Sequence, residues 1–111
     1  MAKAKKSHRT MPLRFQTIDY MPRHIRGVYA FWYPDTGKCI YVGKAEKQSI
    51  RTRLMQEWQN SHNANLKLWM RVYGDSLEIC YLPVKDEKID RMESKLIRMW
   101  NPTTNIRKKR R

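Results

Sequence analysis

The sequence predicts an α+β domain: a three-stranded antiparallel sheet packed with helices, in the order β-β-α-α-β-α. Three observations carry this. Residues 27–43, GVYAFWYPDTGKCIYVG, are two aromatic and β-branched runs joined by Pro34-Asp35-Thr36-Gly37, a turn in which Pro presets φ and Gly accepts φ > 0. Leu77, Ile79 and Tyr81 alternate with Glu78 and Cys80, the period of a half-buried strand. Three further stretches place apolar residues three and four apart, the period of amphipathic helices.

Taken in order, residues 1–24 are Lys-rich, contain Pro12 and Pro22, and hold no sustained period; they read as a basic flexible arm. Gly27 to Tyr33 and Cys39 to Val42 form the hairpin. Ser49 is a good N-cap for a helix starting at Ile50, with Ile50, Leu54 and Trp58 as its inner face. Asn63 or Asn65 caps a second helix through Tyr73, with Leu66, Trp69, Met70 and Tyr73 inward and Gly74 ending it as a C′ glycine. Ser76 to Leu82 is the third strand, stopped by Pro83. Asp86 to Trp100 is the third helix, striped by Ile89, Met92, Leu96 and Met99. Pro102 keeps Asn101 out of the helical region. The expected organisation is an arm over 1–24, one folded domain over 25–106, and a basic tail over 107–111. There are no internal repeats.

The chain has 111 residues and a net charge of +14, enough length for one modest core. The charge is unevenly placed: residues 1–26 carry +6, the tail 107–111 carries +5, and residues 27–106 carry +3. Basic ends like these suit phosphate backbones, and Lys3, Lys5, Lys6, Arg107, Lys108, Lys109, Arg110 and Arg111 are the expected contacts. Solubilising tails, or a surface for acidic lipid, would have the same composition. No apolar run reaches the length of a membrane span, and the basic N-terminus has no apolar block behind it, unlike a secretory signal. Cys39 and Cys80 lack any paired His or nearby Cys and read as reduced residues. A cytoplasmic protein, prokaryotic or phage-encoded, is the expectation.

Several residues resist a purely structural account. Tyr29 and Tyr41 lie on adjacent strands, where two phenols either pack across the ladder or are held together for chemistry. Glu93 borders the apolar stripe of the third helix, between Ile89 and Ile97; a carboxylate there costs desolvation unless it meets a cation or a metal. Arg53 sits at the edge of the first helix's inner face with Glu57 four residues on, an ordinary surface ion-pair spacing. Arg51 falls on a more exposed side. Asn105 alone reads as a turn residue.

Together these residues resemble the GIY-YIG nucleases, a family that includes the N-terminal nuclease domain of UvrC. Gly27-Val28-Tyr29 stands for the first triplet and Tyr41-Val42-Gly43 for the second, eleven residues apart, with Lys44-Ala45 following. Ile50-Arg51-Thr52-Arg53-Leu54 is similar to the UvrC-type Leu-Arg-x-Arg-Val. Glu93-Ser94-Lys95-Leu96-Ile97-Arg98 leads to Pro102 and Asn105, nine and twelve residues after Glu93. The resemblance covers residues 26–106. One position departs: where many members carry His or Tyr four residues after the arginine, this chain has Glu57, which either pairs with Arg53 and blunts it or fills a modified role. His62 is a candidate substitute.

The resemblance implies a metal-dependent endonuclease that hydrolyses DNA phosphodiester bonds and leaves 5′-phosphate and 3′-hydroxyl ends. It implies Glu93 as the ligand of one divalent ion, Mg²⁺ or Mn²⁺, Tyr29 as general base, Tyr41 as an orienting group, and Arg53 as the stabiliser of developing charge. A free phenol has a pKa of about 10, so Tyr29 needs help to ionise, and Lys44 is the expected source. Asn105 would hold the scissile region or Tyr29. Gly27, Gly43 and Arg51 would face the nucleic acid. The partner is duplex or branched DNA, and a homodimer would suit cutting of both strands. Two other readings compete: a weak or inactive nucleic-acid-binding module of the same fold, and a small basic RNA- or ribosome-associated protein.

Overall fold

The hairpin forms as the turn chemistry requires. In the computed structural model, which describes residues 10–105, Gly37 takes φ 70° and its N–H donates to the Pro34 carbonyl at 3.1 Å. In chain order the elements are β1 (Met11–Pro12), α1 (Phe15–Asp19), β2 (Gly27–Tyr33), β3 (Lys38–Ala45), α2 (Ile50–Asn60), α3 (Ala64–Tyr73), β4 (Glu78–Pro83) and α4 (Ile89–Trp100). Short 3-10 turns at Gly74–Ser76 and Asp86–Lys88 lead into β4 and α4.

The sheet has four strands, all antiparallel, in the order β1-β4-β2-β3. This corrects the expected three. The extra strand comes from the segment read as an arm: Met11 pairs with Ile79 and Pro12 with Glu78, and Leu13, Ile18 and Met21 are buried. Pro12 is tolerated because β1 is an edge strand, where a missing N–H breaks no central ladder. The high charge and two prolines of this stretch mask four apolar residues that the core uses.

Central β2 is buried along six of its seven positions, because both faces of the sheet are covered. On one face Tyr29 and Phe31 join Ile50 and Leu54 of α2 and Leu66 of α3; on the other Val28, Ala30, Trp32 and Val42 pack with Ile89 and Leu96 of α4. A bulge in β3 shifts the register between Phe31–Tyr41 and Trp32–Cys39. The unpaired Ile40 thereby joins Tyr41 against the same core, as bulges permit.

Caps follow the sequence closely. The Ser49 side chain accepts from Thr52 N and the Asn63 side chain from Leu66 N, each at 3.0 Å. Asn101 ends α4 in the left-handed region at φ 44°, its N–H on the Ile97 carbonyl. Gly74, however, is right-handed at φ −49°; the chain tightens into a 3-10 turn, which delays β4 to Glu78. A second 3-10 turn delays α4 to Ile89. The inner face of α2 also differs: Ile50, Leu54 and Glu57 are buried, and Trp58 is exposed. A core helix has given its third inward position to a carboxylate, next to the two tyrosines. Met99 and Tyr73 likewise lie more in solvent than their helical stripes predict.

Candidate active site

Tyr29 and Tyr41 face the same side of the sheet, with ring centroids 6.3 Å apart. The register explains why. Tyr29 stands opposite Gly43 and Phe31 opposite Tyr41, so the two tyrosines are diagonal neighbours. A Cβ on Gly43 would collide with the Tyr29 ring at Cζ, Cε1 and the hydroxyl. The glycine of the second triplet is therefore the space for the tyrosine of the first. Gly27 plays a different part, since its φ is 155° and a Cβ would strike the Leu82 carbonyl of β4. Both glycines serve close packing within the protein.

The Tyr29 hydroxyl donates to Glu57 Oε2 at 2.8 Å. Ser61, the C-cap of α2, donates from Oγ to Glu57 Oε1 at 2.7 Å. Arg53 brings Nη2 to 3.3 Å from Tyr29 Oη and 3.5 Å from Glu57 Oε2. Its Nε reaches the Lys44 carbonyl at 3.4 Å and its Nη1 the Gln56 amide oxygen at 3.0 Å. Glu57 is thus the hub of the cluster, one turn beyond Arg53 on α2. Its pairing with Arg53 is not the surface contact the spacing suggests: the Glu57 side chain is 5% exposed and that of Arg53 27%. Ser61 was missed by sequence reasoning, although its place four residues after Glu57 is the signal for it.

Electrostatics run opposite to expectation. Burial first, and the Glu57 carboxylate second, push the Tyr29 phenol well above its ordinary value. Burial and Glu57 also raise Tyr41, to about 12, against an opposing pull from Arg53. Lys44 does not face either phenol. It stands opposite Val28, on the α4 side of the sheet, and its ammonium pairs with Asp90 and, at 3.2 Å, with Glu46. Side-chain alternation along β3 carries Lys44 away from the tyrosines.

Glu93 is half-buried on α4 and its charge raises the pKa of both Tyr41 and Lys44. β3 is an edge strand of the sheet. Asn105 closes that edge. Its side chain accepts from Val42 N and donates to Val42 O, both at 2.9 Å, the two-point pairing of a ladder residue. Just before it, the N–H groups of Thr103 and Thr104 donate to Cys39 and Ile40. Asn105 therefore clamps the middle of the second triplet, and neither of these bonds involves Tyr29.

Arg51 is committed elsewhere: its guanidinium pairs with the Asp19 carboxylate and bonds the Asp19 carbonyl at 3.2 Å, tying α2 to α1. Its side chain is 17% exposed, against the open position expected. His62 is exposed, just past the end of α2. Lys3, Lys5, Lys6, Arg107, Lys108, Lys109, Arg110 and Arg111 lie outside the described residues.

Among the described residues no three His, Cys, Asp or Glu side chains converge as a metal-binding group. Glu93, half-buried on α4, is the kind of lone carboxylate that suits a hard ion keeping most of its water shell, as Mg²⁺ does; it does not fit a dedicated protein cage. No helix among them is long and apolar enough to cross a membrane.

A hairpin carrying paired tyrosines, an arginine helix against one face, a glutamate helix against the other and an asparagine on the hairpin edge define a GIY-YIG-like fold. No family model matches the chain, and neither does any curated protein. Solved structures do. The magnesium-bound GIY-YIG N-terminal endonuclease domain of UvrC from Thermotoga maritima superposes with TM-score 0.60 at 25% identity, covering 82% of this chain and 93% of that one. A tyrosine-to-phenylalanine mutant of the same domain, bound to its catalytic divalent cation, gives TM-score 0.61 at 25% identity over 83% and 93%. An asparagine-to-alanine mutant, likewise bound to its cation, gives 0.61 at 24% over the same shares.

Proposed function

We propose that this protein is a metal-dependent endonuclease that hydrolyses DNA phosphodiester bonds. The observation that carries the reading is the convergence of Tyr29, Tyr41, Arg53 and Glu57 in one hydrogen-bonded and electrostatic cluster, with the charge of Glu93 on α4 felt at Tyr41. A pure binding module needs no such grouping of buried, mutually polarised side chains.

Glu93 would hold the single divalent ion, which when bound neutralises phosphate charge and stabilises the leaving oxygen. The other roles belong to the chain's own residues. Arg53, partly exposed at the mouth of the cluster, presents a planar fork to the developing charge. Tyr41, half-buried, orients the attacking water or a phosphate oxygen as a neutral donor. Tyr29 handles the water's proton. Asn105 positions the second triplet through Val42. Lys44, held by Asp90 and Glu46, contributes positive potential beside Glu93. The basic ends supply salt-sensitive affinity for the phosphate backbone.

The test is cleavage of labelled supercoiled plasmid and branched oligonucleotides in Mg²⁺ and in EDTA, wild type beside Glu93→Ala. Cutting that needs both the metal and Glu93 is expected. Tight, salt-sensitive binding without cutting in Mg²⁺ or Mn²⁺ would instead establish a binding module.

A further inference from the structure

Glu57 stands where a GIY-YIG site often carries His or Tyr, and a carboxylate beside Arg53 first suggests inhibition. The geometry points elsewhere. We infer that Glu57 is the proton acceptor of the site, acting through the Tyr29 hydroxyl, and that it is unmasked when Arg53 turns toward a bound phosphate.

Four facts carry this. Glu57 is buried on a core helix, where an ionised carboxylate survives only if it is hydrogen-bonded; both its oxygens are, from Tyr29 and Ser61. Tyr29 donates to Glu57, so its proton already points at an acceptor. Arg53 lies over the same phenol oxygen at 3.3 Å and holds Glu57 only loosely at 3.5 Å; a guanidinium drawn to phosphate would vacate the position beside Tyr29 Oη that an attacking water needs. Finally, Glu57 and Ser61 line a surface cavity with Lys67 and Arg71 of α3, through which the proton would leave. The phenolate is not the reactive form here, because burial and Glu57 both oppose it. A neutral phenol that gains one proton while losing another has no such barrier.

The step balances. As the water oxygen bonds to phosphorus, one water proton passes to Tyr29 Oη while the phenol's own proton passes to Glu57 Oε2. The bond from phosphorus to the leaving oxygen breaks, and that oxygen takes a proton from solvent. Glu57 then releases its proton to the cavity. The charged or titratable groups that act on Glu57 are Tyr29 from β2, Tyr41 from β3 and Arg53 from its own helix, and Lys67 and Arg71 from α3 line the cavity it borders. The inference rests on the nuclease reading.

The test is single-turnover cleavage from about pH 5 to about pH 9 for wild type, Glu57→Gln, Tyr29→Phe and the double variant. Glu57→Gln keeps the shape and, through its amide oxygen, the bond from Tyr29, while its NH2 meets Ser61 Oγ as a donor instead of an acceptor; it cannot take a proton. It is expected to slow cleavage by about 100-fold or more and to change the acid limb of the pH profile. The double variant is expected to be no slower than Tyr29→Phe alone. Alkaline absorbance titration is an independent check on the contact: the tyrosine steps raised by Glu57 should fall to lower pH in Glu57→Gln. A Glu57→Gln protein that cuts as fast as wild type, or more slowly but with an unchanged acid limb, overturns the inference and leaves the nuclease standing. So does an unmoved tyrosine titration. A wild type that never cuts overturns both.

Discussion

Gly43 stands directly across the β2–β3 ladder from Tyr29, and the side chain it lacks is the space in which the Tyr29 ring lies. The two halves of the motif are therefore one packing unit. Gly43→Ala places a methyl inside the phenol, and neither β-strand backbone nor a fully buried ring yields easily. The expected cost is about 1–3 kcal/mol, the usual range for overpacking, together with a displaced Tyr29–Glu57 hydrogen bond. Urea unfolding and a cleavage assay on the same variant check both.

Asn105 makes two bonds to the backbone of Val42. Removing them leaves an edge-strand N–H and C=O without a partner, at about 1–3 kcal/mol. Asn105→Ala is expected to lower the unfolding midpoint and to reduce cleavage with DNA affinity little changed. Asn105→Asp should be as damaging or worse, since its carboxylate meets the Val42 carbonyl. Hydrogen exchange at the Val42 amide reads the loss directly.

The neighbouring arginines should separate cleanly. Arg51 is spent on Asp19, so Arg51→Ala is expected to cost stability of about 0.2–1 kcal/mol and little cleavage. Arg53→Lys loses the planar fork and should reduce cleavage by at least about 100-fold with DNA binding largely retained. Paired melting and cleavage measurements check the split.

Tyr29 and Tyr41 both have pKa values raised above the ordinary value of 10.0, Tyr41 to about 12. A raised folded pKa means that the folded state keeps its proton after the unfolded chain has lost it. Stability is therefore fully present below about pH 10 and falls as pH rises from about 10 toward about 12. Tyr41→Phe should flatten part of that fall. Denaturant midpoints across the alkaline range measure it.

The tail 107–111 carries five positive charges. If each neutralises one phosphate, its deletion should reduce the slope of log affinity against log salt by about 4.5 units on duplex DNA. Binding titrations at several salt concentrations, on the intact chain and on the chain ending at Ile106, provide the comparison.

The hairpin, its turn, the helix caps at Ser49 and Asn63 and the resemblance carried by the two triplets are all legible in the sequence, because each depends on local backbone preference or on short spacing. The rest came from tertiary packing. Strand β1 was hidden because Met11, Leu13, Ile18 and Met21 are apolar residues in a basic, proline-bearing stretch, and only a sheet edge elsewhere in the chain makes use of them. Glu57 passed for a surface ion-pair partner because helical spacing specifies which residues are neighbours on a helix but not which face a sheet will cover. Lys44 was expected to ionise a tyrosine, but alternation along β3 turns it to the other face, where Asp90 and Glu46 hold it. The hydrogen-bond cluster around Glu57 draws on β2 and on both ends of α2, with Tyr41 of β3 beside it. Charge and burial at such a point come from the packing of elements far apart in the chain, and no local pattern encodes them.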